Sequence, residues 1–227
     1  MELTRLKRER AVDAVHQALR QAILNSHMKP GERLNVEDLA GKLGVSLTPV
    51  RHAIQLLEAE GLIVVRPRSG TFVASLSARD IEETFDIRCA LECLAADKAV
   101  DRITAEDLRK LKALLKSMRR PVRNDEDRKA HEDRNAELHL TILRAAGNQR
   151  LLDIYQELNA NIKIARIHAS DADWLSRLKQ EQEEHEEIVD ALEKRNRTSL
   201  ERAMRRHIMR ARDSLLAAVQ RIDGQPQ

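Results

Sequence analysis

The sequence predicts a mainly α-helical chain in two domains. The first, residues 8–75, holds three short helices and a small β-hairpin; the second, residues 79–222, is an all-helical antiparallel bundle. Three observations carry this expectation. Apolar residues recur at helical spacing through most of the 227 positions. Two adjacent β-branched runs, Leu62–Val65 and Thr71–Ala74, flank Arg66-Pro67-Arg68-Ser69-Gly70, and nothing beyond them reads as a strand. Aromatic residues make up only 2% of the chain while Leu, Ala, Ile and Val are plentiful, which suits helices packed through aliphatic stripes.

Each element has a local cause. From Arg10 to Asn25, Val12, Val15, Leu19, Ala22 and Ile23 fall on one helix face, and Met28-Lys29-Pro30-Gly31 ends the pattern with a turn. Asn35 is an N-cap for a helix starting at Val36, with Asp38 in its first turn and Leu39, Ala40 and Leu43 as its buried face. Gly44 suits the left-handed position after that helix, and Ser46 caps a third one, with Pro49 tolerated in its first turn. This third helix buries Val50, Ala53, Ile54 and Leu57 and ends near Gly61. Two short helices joined by a tight turn, with a hairpin behind them, make a winged helix-turn-helix.

Ser75 to Ala78 reads as the linker. Beyond it, Thr104-Ala105-Glu106-Asp107 forms a capping box with Asp in place of Glu. Arg119-Arg120-Pro121 breaks the chain, and Gly147-Asn148 ends a helix covering Asp127 to Ala146. Asp171 to Asp173 and Asn196 to Thr198 mark two more boundaries, so five or six helices are expected in this bundle.

Charge and composition narrow the function classes. The net charge is +3, and all of it sits in the first 75 residues, where 11 Lys/Arg face 8 Asp/Glu; the remainder holds 29 of each. A phosphate-binding module needs that sign. No run of about 18 apolar residues occurs, so no membrane span is expected. Met1 to Arg10 is charged, with no apolar stretch behind it, unlike a signal peptide. Cys89 and Cys93 lie one helical turn apart, poorly placed for a disulfide, and are read as reduced. Together these features point to the cytoplasm.

On a helix beginning near Leu47, the residues Thr48, Arg51, His52 and Gln55 share the face opposite the apolar stripe. Arg can fork onto guanine and Gln can pair with adenine in a major groove, while Ser46 and Thr48 suit phosphate oxygens. Taken singly, Arg51 or Gln55 fits an ordinary solvated helix face equally well. Helix, turn, reader and basic wing in this order point to DNA, and Arg33, Arg68 and Gly70 complete the expected contact set.

These residues carry a resemblance. Leu43, Gly44, Val45, Ser46, Thr48, Pro49, Val50, Arg51, Ala53, Leu57, Glu58, Glu60, Gly61, Leu62 and Gly70 match the reader and wing of the GntR superfamily of bacterial transcription regulators. Two positions depart from it: Leu47 stands where the family usually has Arg, and His52 where it has Glu. Loss of that Arg removes a usual DNA contact, so the family's operator preferences do not transfer and lower affinity is expected.

In the second domain Asn135 and His139 project from one face at i, i+4, while His185 and His207 lie beside core-facing stripes. Three imidazoles and an oxygen donor in a bundle can hold Zn, Ni or Mn; each histidine alone can equally be a satisfied core residue. Both readings are open from spacing. The segments His139-x-x-Ile142-x-x-Ala145-Ala146-Gly147-Asn148-x-x-Leu151, His185-x-x-Ile188-x-x-Ala191-Leu192 and Ala203-x-x-x-His207-Ile208 resemble the FCD ligand-binding domain of FadR-like regulators, as does Arg88-x-x-Leu91-Glu92.

The resemblance implies a divalent metal, zinc first, on Asn135, His139, His185 and His207. Asn135 stands where metal-binding members carry Asp. Its amide oxygen can still coordinate, but it leaves the ion's charge uncompensated, so weaker retention and a stronger pull on an anionic effector are expected. The resemblance also implies a small organic acid as effector, held with the help of Arg88, a homodimer on a pseudopalindromic operator, and repression. Arg88 has a second reading, an intrahelical pair with Glu92.

Two other function classes fit less well. A metalloenzyme is disfavoured because His131-Glu132-Asp133-Arg134-Asn135 lacks the second His of a zinc-protease motif, and neither a nucleophile elbow nor a phosphate loop is present. A DNA binder without a sensor would have operator affinity indifferent to metabolites and chelators.

Overall fold

The computed structural model describes residues 8–25, 27–75, 77–168 and 174–223. Nine helices and one small sheet occur among them. The boundary expected at Asp171 to Asp173 lies outside the described residues, as does Leu76 of the expected linker. The chain divides into two compact units, residues 1–77 with 159–169, and residues 78–158 with 170–227. No helix among the described residues is long and apolar enough to cross a membrane.

The first unit contains α1 (Arg8–Leu24), β1 (Arg33–Leu34), α2 (Val36–Leu43), α3 (Leu47–Ala59), β2 (Ile63–Arg66) and β3 (Gly70–Val73). Asn35 caps α2 as expected: its Oδ1 accepts from the backbone N–H groups of Glu37 and Asp38 at 3.0 and 3.1 Å. Gly44 takes the left-handed conformation (φ 64), which lets the Val45 N–H close onto the Ala40 carbonyl and stop the helix. That stop sets the tight turn into α3. Val15, Leu19 and Ile23 of α1, Leu39 and Ala40 of α2, and Val50, Ala53, Ile54 and Leu57 of α3 form one core with Leu62, Ile63 and Val73.

Three local readings change. Ser46 occupies the N-cap position of α3, but its side chain makes no capping hydrogen bond. Leu43 is 36% exposed instead of buried; Val45, packed against the core beyond the turn, closes that end of the helix. The sheet has a third strand, β1, paired antiparallel with β3 in the order β1-β3-β2. A strand of two residues carries no alternation to read.

The second unit is an α-helical bundle: α4 (Ala78–Arg102), α5 (Ala105–Met118), α6 (Asp125–Ala145), the first half of α7 (Gln149–His168), α8 (Trp174–Glu193) and α9 (Arg197–Asp223). Thr104 and Asp107 form the expected reciprocal capping box at the start of α5. Helix α4 packs along α9 and α6, and α8 lies against α9 and α5. Ala95, Leu143, Ala146, Leu151, Leu152 and Tyr155 bury one end of the bundle. Arg102 donates to the Ala146 carbonyl at 2.9 Å, and Arg195 to the Val100 carbonyl at 2.6 Å, satisfying acceptors near helix ends.

Candidate DNA-reading surface and histidine centre

Helix α3 is amphipathic in the sense its sequence requires. Its core residues leave Ser46, Thr48, Arg51, His52 and Gln55 exposed on the outer side. With no side-chain cap from Ser46, the N–H groups at the start of α3 are left for an outside acceptor, the arrangement that suits a phosphate. The far end of α3 is tied to α1: Glu60 accepts from Arg20 Nε at 3.0 Å and pairs with His16 Nε2 at 2.6 Å. This clamp, invisible to spacing, adds a polar tie between α1 and α3 beside their shared apolar core.

The wing is a basic tip held in a strained turn. Pro67, Arg68 and Ser69 connect β2 to β3, and the Ser69 N–H bonds the Arg66 carbonyl at 3.0 Å. Arg68 has φ 64, a left-handed conformation that a glycine would adopt more cheaply. Gly70, at φ 124, lets Arg33 lie close; a Cβ there would meet Arg33 Nε at 3.0 Å. Arg66 stacks over Phe72 at 5.0 Å. Arg33, Arg66 and Arg68 are all exposed.

The second unit brings together His139 from α6, His185 from α8 and His207 from α9. Their ligand nitrogens all lie within 4.8 Å of one another, and all three side chains are buried. His139 Nδ1 donates to Glu92 Oε2, and His207 Nδ1 donates to Glu184 Oε2 at 2.8 Å. The two Nε2 atoms face each other 3.2 Å apart, and the tautomer that donates from Nδ1 leaves Nε2 as the ligating atom. A shared proton or a metal ion between two nitrogens fits that distance, and the Arg88 guanidinium also lies against the pair, its Nη2 3.5 Å from His139 Nε2. A proton can serve one pair only; the third nitrogen, His185 Nε2, is buried and has no hydrogen-bond partner. Nitrogens bound to one tetrahedral zinc at about 2.0–2.1 Å lie roughly 3.3 Å apart, so the His139–His207 spacing fits a shared ion.

Electrostatics favour the ligating form. Burial first, and neighbouring imidazoles second, hold His185 and His207 well below the ordinary histidine range, so both are neutral. Arginines stand behind the carboxylates. Arg88 Nε donates to Glu92 Oε1 at 2.6 Å, and Arg210 Nε donates to both Glu184 oxygens at 2.7 and 2.8 Å. Burial opposes both charges of the Arg88–Glu92 pair. Their mutual attraction outweighs it, raising the arginine pKa and lowering the carboxyl one. The intrahelical partner considered for Arg88 is thus present, while its Nη1 remains buried without a hydrogen-bond partner. Asn135 is also buried; its Nδ2 donates to Glu181 Oε1 at 2.8 Å, and its Oδ1 has no partner.

Comparison with known proteins decides the family. The model of the gntR family of bacterial regulatory proteins matches residues 11–73, and that of the FCD domain matches residues 83–210. The chain belongs to the GntR family and carries a C-terminal FCD domain. It is 30% identical to the HTH-type transcriptional regulator YdhC of Bacillus subtilis, over 84% of this chain and 83% of that protein. It is 28% identical to the HTH-type transcriptional repressor RspR of Escherichia coli, over 88% and 87%. The structure of E. coli McbR/YncC shares the fold at a TM-score of 0.72 and 22% identity, covering 93% of this chain and 98% of that one. The relatives are transcription regulators, not enzymes.

In this GntR–FCD chain the residues singled out by sequence fall into two groups. Ser46, Thr48, Arg51, His52, Gln55, Arg33, Arg68 and Gly70 belong to the helix-turn-helix and wing. Arg88, His139, His185 and His207 meet in the FCD domain, Arg88 Nη2 lying 3.5 Å from His139 Nε2. Sequence reasoning misses Glu184, Arg210 and Glu181, and takes Glu92 only as a partner for Arg88. A signal exists: Glu181, Glu184, His185 and Ile188 share one helix face, the face that turns inward.

Proposed function

We propose that the protein is a cytoplasmic homodimeric repressor that releases or tightens on a pseudopalindromic operator when a small organic acid binds its FCD domain. Helix α3 reads the major groove through Arg51, His52 and Gln55. Ser46 and Thr48 hold phosphates, and Arg33, Arg68 and the Gly70 turn engage the flanking backbone or minor groove. The repressor named RspR among the relatives supports the sign of regulation. On α4, Ile87, Leu91 and Leu94 form an apolar stripe, with Ile87 and Leu94 51% and 46% exposed. A second copy related by two-fold symmetry would cover that stripe and present two reading helices.

The sensor reading rests on one observation, the convergence of three buried imidazoles, two of them oriented by carboxylates. His139, His185 and His207, with Asn135 Oδ1 as oxygen donor, would hold a divalent ion, zinc by the nitrogen-rich donor set. Such an ion would supply open coordination positions for a carboxylate. Arg88, buried beside His139 with its Nη1 unpartnered, adds a cationic donor to the same centre. Effector binding acts on DNA affinity only through its different affinity for the two conformational states.

Elemental analysis combined with native mass spectrometry tests ion, carried-over acid and dimer together. A metal-loaded dimer is expected; a metal-free monomer would overturn the reading.

A further inference from the structure

A neutral donor set raises a question of charge. Three histidines with the Asn135 amide offer a divalent ion no negative ligand. Glu92 and Glu184 each back a histidine and are each engaged by an arginine. Glu181 meets the centre by another route, through the amide. Its Oε1 accepts from Asn135 Nδ2 at 2.8 Å and lies 3.4 Å from His131 Nε2, one turn earlier on α6. It sits one turn before His185 on the same face of α8.

The same contact determines which way the Asn135 amide faces. A carboxylate can only accept, so the NH2 end must turn to Glu181 and the carbonyl end must turn away. That carbonyl oxygen is buried and has no protein donor. A buried acceptor left unsatisfied is costly, and a cation is a group that would satisfy it. Asn135 and His139 lie one turn apart on the same face of α6, so the orphaned oxygen belongs to the helix face that carries the first histidine.

We propose that Glu181 is the positioning residue and displaced counter-charge of the centre: it locks Asn135 with Oδ1 presented as the oxygen donor and supplies, from one residue further out, the negative charge that the amide lacks. This rests on the metal reading above. The arrangement explains how an amide can serve as the oxygen ligand here. An aspartate in place of Asn135 would put two carboxylates in contact, whereas the amide turns that contact into a hydrogen bond.

The test is a chelator-competition titration of Zn2+ and Mn2+ into metal-stripped full-length protein. Wild type, Glu181→Gln, Asn135→Asp and the double variant are compared, with circular dichroism of each metal-free form. Removing an orienting outer-shell partner typically weakens metal affinity about 10–100-fold, and Glu181→Gln is expected to lose that much. Gln can offer either end to Asn135, so both charge and orientation are lost. The double variant, which moves the carboxylate to position 135, is expected to recover wild-type affinity or exceed it. Loss of affinity with an unchanged circular dichroism spectrum of the metal-free form separates positioning from a purely structural role for Glu181. Glu181→Gln binding Zn2+ as tightly as wild type, or a folded double variant no tighter than Glu181→Gln, overturns the proposal while leaving the metal site standing. A wild-type protein that takes up no ion overturns both.

Discussion

The imidazoles of His139 and His207 stack with centroids 5.1 Å apart and planes 25° from parallel, Nε2 facing Nε2. Each ring is held at Nδ1 by a carboxylate that an arginine engages in turn, His139 by Glu92 with Arg88, His207 by Glu184 with Arg210. Two carboxylate-backed rings from different helices, with a third imidazole beside them, are an arrangement consistent with a site for an ion.

The first consequence is for metal content. The paired substitution His139→Ala/His207→Ala removes two of three nitrogens and is expected to weaken zinc binding more than about 100-fold, beyond the usual cost of an outer-shell change. Metal analysis after gel filtration measures it. Wild-type occupancy in the variant would remove these residues from the site.

A second concerns stability. Glu92→Gln leaves the Arg88 guanidinium buried at 1% exposure without its counter-charge. Breaking a buried pair in this way costs about 3–5 kcal/mol. Urea unfolding of the metal-free protein should show a midpoint shifted down accordingly; an unchanged midpoint would mean that water already screens the pair.

The sequence made much of this legible, for physical reasons that differ by residue. Asn35, Gly44, Thr104 and Asp107 act through bonds to near neighbours in the chain, so their roles could be read directly. The stripe of Val50, Ala53, Ile54 and Leu57 has a helical period, which left Thr48, Arg51, His52 and Gln55 outside. Strand β1 was hidden because two residues hold no period, and the Glu60 clamp because its partners lie 40 and 44 positions away. The three histidines were visible as candidates, but their meeting depends on how α6, α8 and α9 pack, and spacing along one helix cannot encode that. Choosing Glu184 among the glutamates that crowd His185 likewise needed the knowledge of which face turns inward.

DNA reading gives a third pair of expectations. Arg51→Ala should weaken operator binding by about 1–3 kcal/mol and relax preference at one base position. Leu47→Arg adds a cation at the exposed start of α3 and should raise overall affinity, steepening the salt dependence by about 0.9 in log–log slope. Fluorescence anisotropy across a salt series reads both. A Leu47→Arg slope equal to wild type would place that position away from the phosphates.

A fourth concerns Cys93, whose thiol is pushed up to about 12 from an ordinary 9.0 by burial and then by the neighbouring Cys89. Folding therefore favours the protonated thiol. That contribution is complete below pH 9.0 and is lost as the pH rises toward 12. Stability should fall across that window, and fall less in Cys93→Ala. Alkylation of Cys93 at about pH 8, just below the ordinary thiol range, should be slow in the folded protein and fast in urea. Rapid labelling of the native form would contradict the burial.

The most direct measurement is an anisotropy titration of the protein's own promoter DNA with zinc-loaded protein, with and without small mono- and dicarboxylic acids, and again after chelation. The account predicts that at least one acid shifts operator affinity by a factor in the range of about 5–150 typical of coupled sites. It also predicts that chelation abolishes the shift. Operator affinity indifferent to every acid and to the chelator would contradict it.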